Sequence, residues 1–140
     1  MNVTKRLLEI TEKFGIEWPR KESVYLVGML HDLVKTETYR VVDERGTTAA
    51  RPENDGMVKY EYMQPVYGGH GSASATLVMA NLGVRLYPVE AAAITWHMGA
   101  YGLDRDGLKA YDRALEEFFY QIIATHTADV IAAKVDEKGR

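Results

Sequence analysis

The residues of this chain whose types and spacing suit chemistry are four histidines and two aspartates. His31 is followed directly by Asp32 near the end of an apolar run, Gly28-Met29-Leu30-His31-Asp32-Leu33-Val34-Lys35. His70 follows Tyr67-Gly68-Gly69, His97 follows Ile94-Thr95-Trp96, and His126 and Asp129 share Thr125-His126-Thr127-Ala128-Asp129. Adjacent helical residues point about 100° apart, so His31 and Asp32 do not chelate as an i,i+4 pair would. They meet at one buried point only if that point lies in a groove between helices. A lone His on an apolar helix face is more often a hydrogen-bonded core residue than a ligand. Here the weight comes from number and placement. By pattern, three of the histidines sit on or at the start of inward helix faces, and two have an Asp beside them or one turn away. Burying several unpaired imidazoles and carboxylates is costly, and a divalent cation offsets that cost. Mixed His and Asp donors without sulfur suit Mn, Fe, Co, Ni, Zn or Mg, as one ion or two.

The elements that must position these side chains read as helices. Val3, Leu7, Ile10 and Phe14 recur at helical spacing and predict a helix from Asn2 to Phe14, closed by Gly15. A second helix is expected from Lys21 to Val34, with Val24, Val27 and His31 on its inward stripe. From Glu37 to Gln64 the texture changes. Tyr39 and Val41, then Val58, Tyr60 and Tyr62, alternate with polar residues around a turn-rich stretch from Asp43 to Gly56. That predicts a β-hairpin excursion over 37–64, read as a solvated ribbon rather than a gating flap. A third helix follows His70, capped by Ser72 or Ser74, with Ala73, Leu77 and Ala80 inward and a stop at Gly83. Pro88 opens a fourth helix that reaches Met98. The last and longest is expected from Leu108 to Val135, with Leu108, Tyr111, Leu115, Phe119, Ile122, His126, Asp129 and Ala133 on one stripe.

At 140 residues the chain is expected to be a single domain, 1–140, with a real core. A net charge of −3 argues against long nucleic acid as a partner, since grooves that track phosphates are basic. With no cysteine there are no disulfides and no thiolate sites, which fits a reducing cytoplasm. No apolar run approaches the roughly 18 residues of a membrane span. The expectation is a cytoplasmic protein without a membrane partner, with oligomerisation left open.

His31-Asp32 with Lys35, Gly69-His70, Trp96-His97-Met98-Gly99, and His126-Thr127-Ala128-Asp129 with Lys134 form an ordered set. That set resembles the HD-domain metal-dependent phosphohydrolase superfamily, and within it the small HD hydrolases of bacterial and phage genomes. The resemblance runs from His31 through Lys134. It implies an all-α bundle of about five helices with the site at its centre, and hydrolysis of a nucleotide or another small phosphoester. The family has a further metal-binding His about thirty residues before its HD pair. Here that offset falls at or just before Met1, so on this likeness either the chain starts late relative to the family or this member lost the ligand, and the residues present imply a first site held by His31, Asp32 and Asp129.

On that likeness Asp32 bridges two ions, His31 and Asp129 hold one, and His70 and His97 hold the other. Lys35 is placed to meet a phosphate oxygen; a solvated Lys at a helix end is the plain alternative. His126 either protonates the leaving oxygen or orients Asp129 through a hydrogen bond, and the second role is preferred. Tyr67, Trp96 and Tyr101 are candidates to stack on a base, with core packing the plainer role for Trp96. Two other functions fit the same residues: an HD module that binds a nucleotide or partner without turnover, and a di-iron HD oxygenase.

Overall fold

The computed structural model describes residues 2–42, 59–62 and 69–138, and these are mainly helical. Helix α1 spans Asn2–Phe14, α2 Ser23–Leu30, α3 Lys35–Thr38, α4 His70–Asn81, α5 Pro88–Thr95 and α6 Arg105–Ile131; a π-helical turn, Ala132–Asp136, extends α6. Two short strands, β1 (Tyr39–Val42) and β2 (Lys59–Tyr62), pair antiparallel with Tyr39 opposite Tyr62. The expected turn-rich tip between them lies outside the described residues, as do Val58 and Tyr67. No described helix is long and apolar enough to cross a membrane.

Small residues let the helices approach closely. Leu7 of α1, Val24 and Val27 of α2, Ala75 of α4, Ala93 and Ile94 of α5, and Ala124 and Ala128 of α6 form one buried cluster. Helix α6 packs along α1 and α5, and α5 in turn packs on α4 and α2. A smaller cluster of Val34, Ala73 and Leu77 sits beside it and anchors the chain just after Asp32.

Several boundaries differ from the periodic pattern. The apolar run suggests helix through Val34, yet α2 stops at Leu30 and residues 31–34 form tight turns. The Val34 N–H donates to Ser74 Oγ at 3.1 Å, a partner forty residues away that periodicity cannot show. Ser74 is therefore a buried acceptor and not a cap. Gly69 caps α4, with Ser72 Oγ donating to its carbonyl at 2.9 Å. Helix α5 ends at Thr95, which leaves His97 in the turn beyond it. Phe14, Ala80 and Leu108 are exposed, against expectation. In α6 the backbone leaves helical geometry at Phe118 (φ −130°, ψ 35°) and the inward face shifts there. Phe119 and Ala133 are consequently exposed, while Ile122, Thr125, Ala128 and Ala132 are buried.

A fully buried carboxylate, Glu90, ties three segments together. Its Oε1 accepts from Arg20 Nε at 2.8 Å and Ser23 Oγ at 2.7 Å. Its Oε2 accepts from an Arg20 terminal nitrogen and from the Tyr87 N–H, both at 2.8 Å. Burial would push this carboxyl up, but the bonds from Arg20, Tyr87 and Ser23 outweigh it and hold the pKa below the usual 4.5. A group depressed on folding stabilises the fold above its unfolded pKa, and that share is lost as pH falls below it. Glu90→Ala leaves the Ser23 hydroxyl and the Tyr87 N–H without their acceptor and should cost about 2 kcal/mol at neutral pH. Urea melts should show that gap narrowing at acidic pH; a gap independent of pH would assign the loss to packing alone.

Candidate metal centre

Element ends deliver most of the candidate residues. His31 closes α2, Asp32 follows in the turn, His70 opens α4, and His97 lies two residues past α5; Asp129 comes from the body of α6. The rings of residues 31, 70 and 97 converge on Asp32. His31 and His97 meet edge to face with centroids 4.9 Å apart, and His70 and His97 centroids are 5.6 Å apart.

In two imidazoles a backbone carbonyl fixes a proton on Nδ1. His31 Nδ1–H donates to the Gly28 carbonyl at 3.0 Å, and His97 Nδ1–H donates to the Ile94 carbonyl at 2.7 Å. That turns each Nε2 inward as the nitrogen a cation would bind. Both Nε2 atoms are buried and neither has a hydrogen-bond partner. The His31 Nε2 lies 3.4 Å from Asp32 Oδ2 and 3.5 Å from Asp129 Oδ1. The His97 Nε2 lies 3.4 Å from Asp32 Oδ1. Donor atoms of His31, Asp32 and His97 all fall within 4.8 Å of one another, so this trio could hold a metal ion. Bonds of about 2.0–2.2 Å set ligands about 3–4.2 Å apart, close to these separations. The trio takes a residue from each side of the two-ion division that the resemblance implies.

Asp32 faces both ways. Its Oδ1 meets His70 Nε2 at 2.5 Å and its Oδ2 meets the Lys35 ammonium at 2.5 Å. Burial pushes the Asp32 carboxyl up, but His31, His70, His97 and Lys35 outweigh it and hold the group far below the carboxylate range. Burial likewise raises Asp129, and His31 beside it brings it below its usual value. For His31 burial lowers the pKa, while Asp129 and then Asp32 overcome it and raise the group to about 9. Two carboxylates beside three imidazoles give a mixed oxygen and nitrogen donor set of the kind divalent cations take.

Two glycines set the approach of these elements. A Cβ on Gly71 would lie 2.0 Å from the Thr95 carbonyl oxygen and 2.8 Å from that of Ile94. The start of α4 thus lies backbone to backbone against the end of α5, which brings His70 beside His97. Gly99 has φ +64°, a left-handed turn after His97. Into that turn fits His126, whose ring lies 3.1 Å from where a Gly99 Cβ would stand and whose Nδ1–H donates to the His97 carbonyl at 2.7 Å. His126 therefore pins the turn that carries His97, and the residue it positions is His97 rather than the expected Asp129. The His126→Ala protein should stay folded and bind a cation about tenfold more weakly. Calorimetric titration checks this, and unchanged affinity would leave His126 with packing alone.

Trp96 packs against Tyr111 with centroids 5.6 Å apart, while Tyr101 is 82% exposed on the turn beyond. Asp104 caps α6 by accepting the Gly107 N–H at 2.7 Å. Sequence reasoning missed the close approach at Gly71 and the Arg20–Glu90 clasp. A glycine one or two residues after His70 and His97 was the visible sign of the first; nothing local announced the second. The chain matches no family model, no curated protein and no solved structure.

Proposed function

We propose that this bundle is an HD-type domain whose centre holds one or two divalent cations, and that the chain hydrolyses a small phosphoester. One observation carries the reading: two buried imidazoles, fixed by backbone carbonyls, aim unpartnered Nε2 atoms at the Asp32 carboxylate. A core histidine serving structure alone would be hydrogen-bonded at both nitrogens. His70 and Asp129 extend the donor set to five residues.

Bound there, a divalent cation supplies Lewis-acid activation of water and of a phosphoryl oxygen. The chain's own residues do the rest. Asp32 offers one oxygen to the His70 and His97 side and the other to the His31 side, so a single carboxylate serves both halves. Lys35, with its side chain 55% exposed, lies next to Asp32 where an incoming phosphate would meet its ammonium. His126 keeps His97 in register.

The test is a panel of small phosphoesters run with Mn, Co, Ni and Mg beside elemental analysis. Turnover that is lost with chelator and restored by metal supports the reading. Turnover indifferent to chelator, or no metal retained under supplementation, overturns it. Product formation that needs iron and dioxygen would favour the oxygenase instead. The pH dependence of binding is a separate check. With its pKa raised to about 9, His31 carries a proton at neutral pH that a cation must displace. Affinity should therefore climb as pH rises towards 9, and flat affinity between pH 6 and 9 would remove His31 from the ligand set.

A further inference from the structure

A cavity of about 500 Å³ opens between the start of α4 and the turn after α5. That volume suits a ligand of nucleoside size. His70 stands in its wall, so the space begins at the edge of the metal cluster. Trp96, Met98, Tyr101 and Leu103 give it an apolar and aromatic lining, with Ser72 and Thr95 as polar points. Among the described lining residues none is Lys, Arg, Asp or Glu. A chain of further phosphates entering here would be desolvated without a cation to meet it. Tyr101 lies between Gly99 (φ +64°) and Gly102 (φ +72°), and its ring is held out at 82% exposure. A large aromatic so placed at a cavity mouth is suited to cover a flat ligand.

We propose that this cavity receives the leaving group of the phosphoester, and that it selects a nucleobase on a nucleoside monophosphate over a bare sugar phosphate or a polyphosphate. The proposal rests on the phosphohydrolase reading. In the reaction a water oxygen bonds to phosphorus and the P–O ester bond breaks. The freed nucleoside oxygen takes a proton, and inorganic phosphate departs.

Two readouts separate the pocket from the chemistry. The chain has two tryptophans, so the Trp18→Phe protein reports Trp96 alone. Adenosine, which has no phosphate, should quench that fluorescence saturably, and Tyr101→Ser should weaken the binding about fivefold or more. The Mn-loaded protein should cleave adenosine 5′-monophosphate with about tenfold higher kcat/KM than ribose 5-phosphate, and Tyr101→Ser should narrow that ratio. Equal kcat/KM for the two esters without quenching would overturn the pocket and leave the hydrolase standing. Quenching with no phosphoester cleaved would keep the pocket and overturn the hydrolase. A triphosphate cleaved faster than the monophosphate would overturn the selection by charge.

Discussion

Asp32→Asn is expected to abolish cation retention and to lower kcat by roughly 10³-fold or more. No other described side chain lies within ion-pair distance of His31, His70, His97 and Lys35 together. The amide keeps the shape of the carboxylate and removes its charge, so three imidazoles face a neutral group. A cation placed there would lose the one ligand that serves both halves of the centre. Lys35→Ala makes the contrast. Its ammonium meets the cluster from an exposed side chain, so the variant should retain metal and lose activity mainly through KM. Steady-state kinetics with metal analysis on both variants checks this. Equal losses of kcat would contradict the division of roles between the two residues.

Among the described glycines, Gly71→Ala should be the most damaging. The added Cβ would meet the Thr95 carbonyl oxygen at 2.0 Å and its carbon at 2.6 Å, both backbone atoms that cannot swing aside. Overpacking of this kind costs about 3 kcal/mol. For a domain of this size that lowers Tm by about 10 °C. The site should suffer as well, because α4 can yield only by drawing His70 away from His97. Cation affinity measured well below the Tm should fall at least tenfold. Thermal melts and calorimetric titration check the two halves separately. A protein with normal melting and normal affinity would show that the α4–α5 contact is looser than described.

Much of the helical order is legible in the chain. The spacing of Val3, Leu7 and Ile10 gives α1 its bounds, and Gly15 stops it with φ +60°. That the histidines and aspartates belong together could be argued from their number and their places on inward faces, while their division into ligand sets came from the resemblance. What was not legible depends on partners distant in sequence. The end of α2 is set by Ser74, and the burial of Glu90 is made tolerable by Arg20, seventy residues away. The stripe along α6 fails at Phe118 because a periodic reading assumes one continuous helix. Nor does any sequence pattern show which ring nitrogen faces inward. That followed only once the Gly28 and Ile94 carbonyls were seen to take the Nδ1 protons.

The claim beneath all of this is that distant side chains were brought together to grip an ion. Anomalous diffraction from crystals soaked in Mn, with data collected on the high-energy side of the Mn absorption edge, tests it most directly. The account predicts a strong peak within bonding distance of His31 Nε2, His97 Nε2 and an Asp32 oxygen. A clean map with no peak among those atoms, at saturating Mn and neutral to alkaline pH, would contradict it.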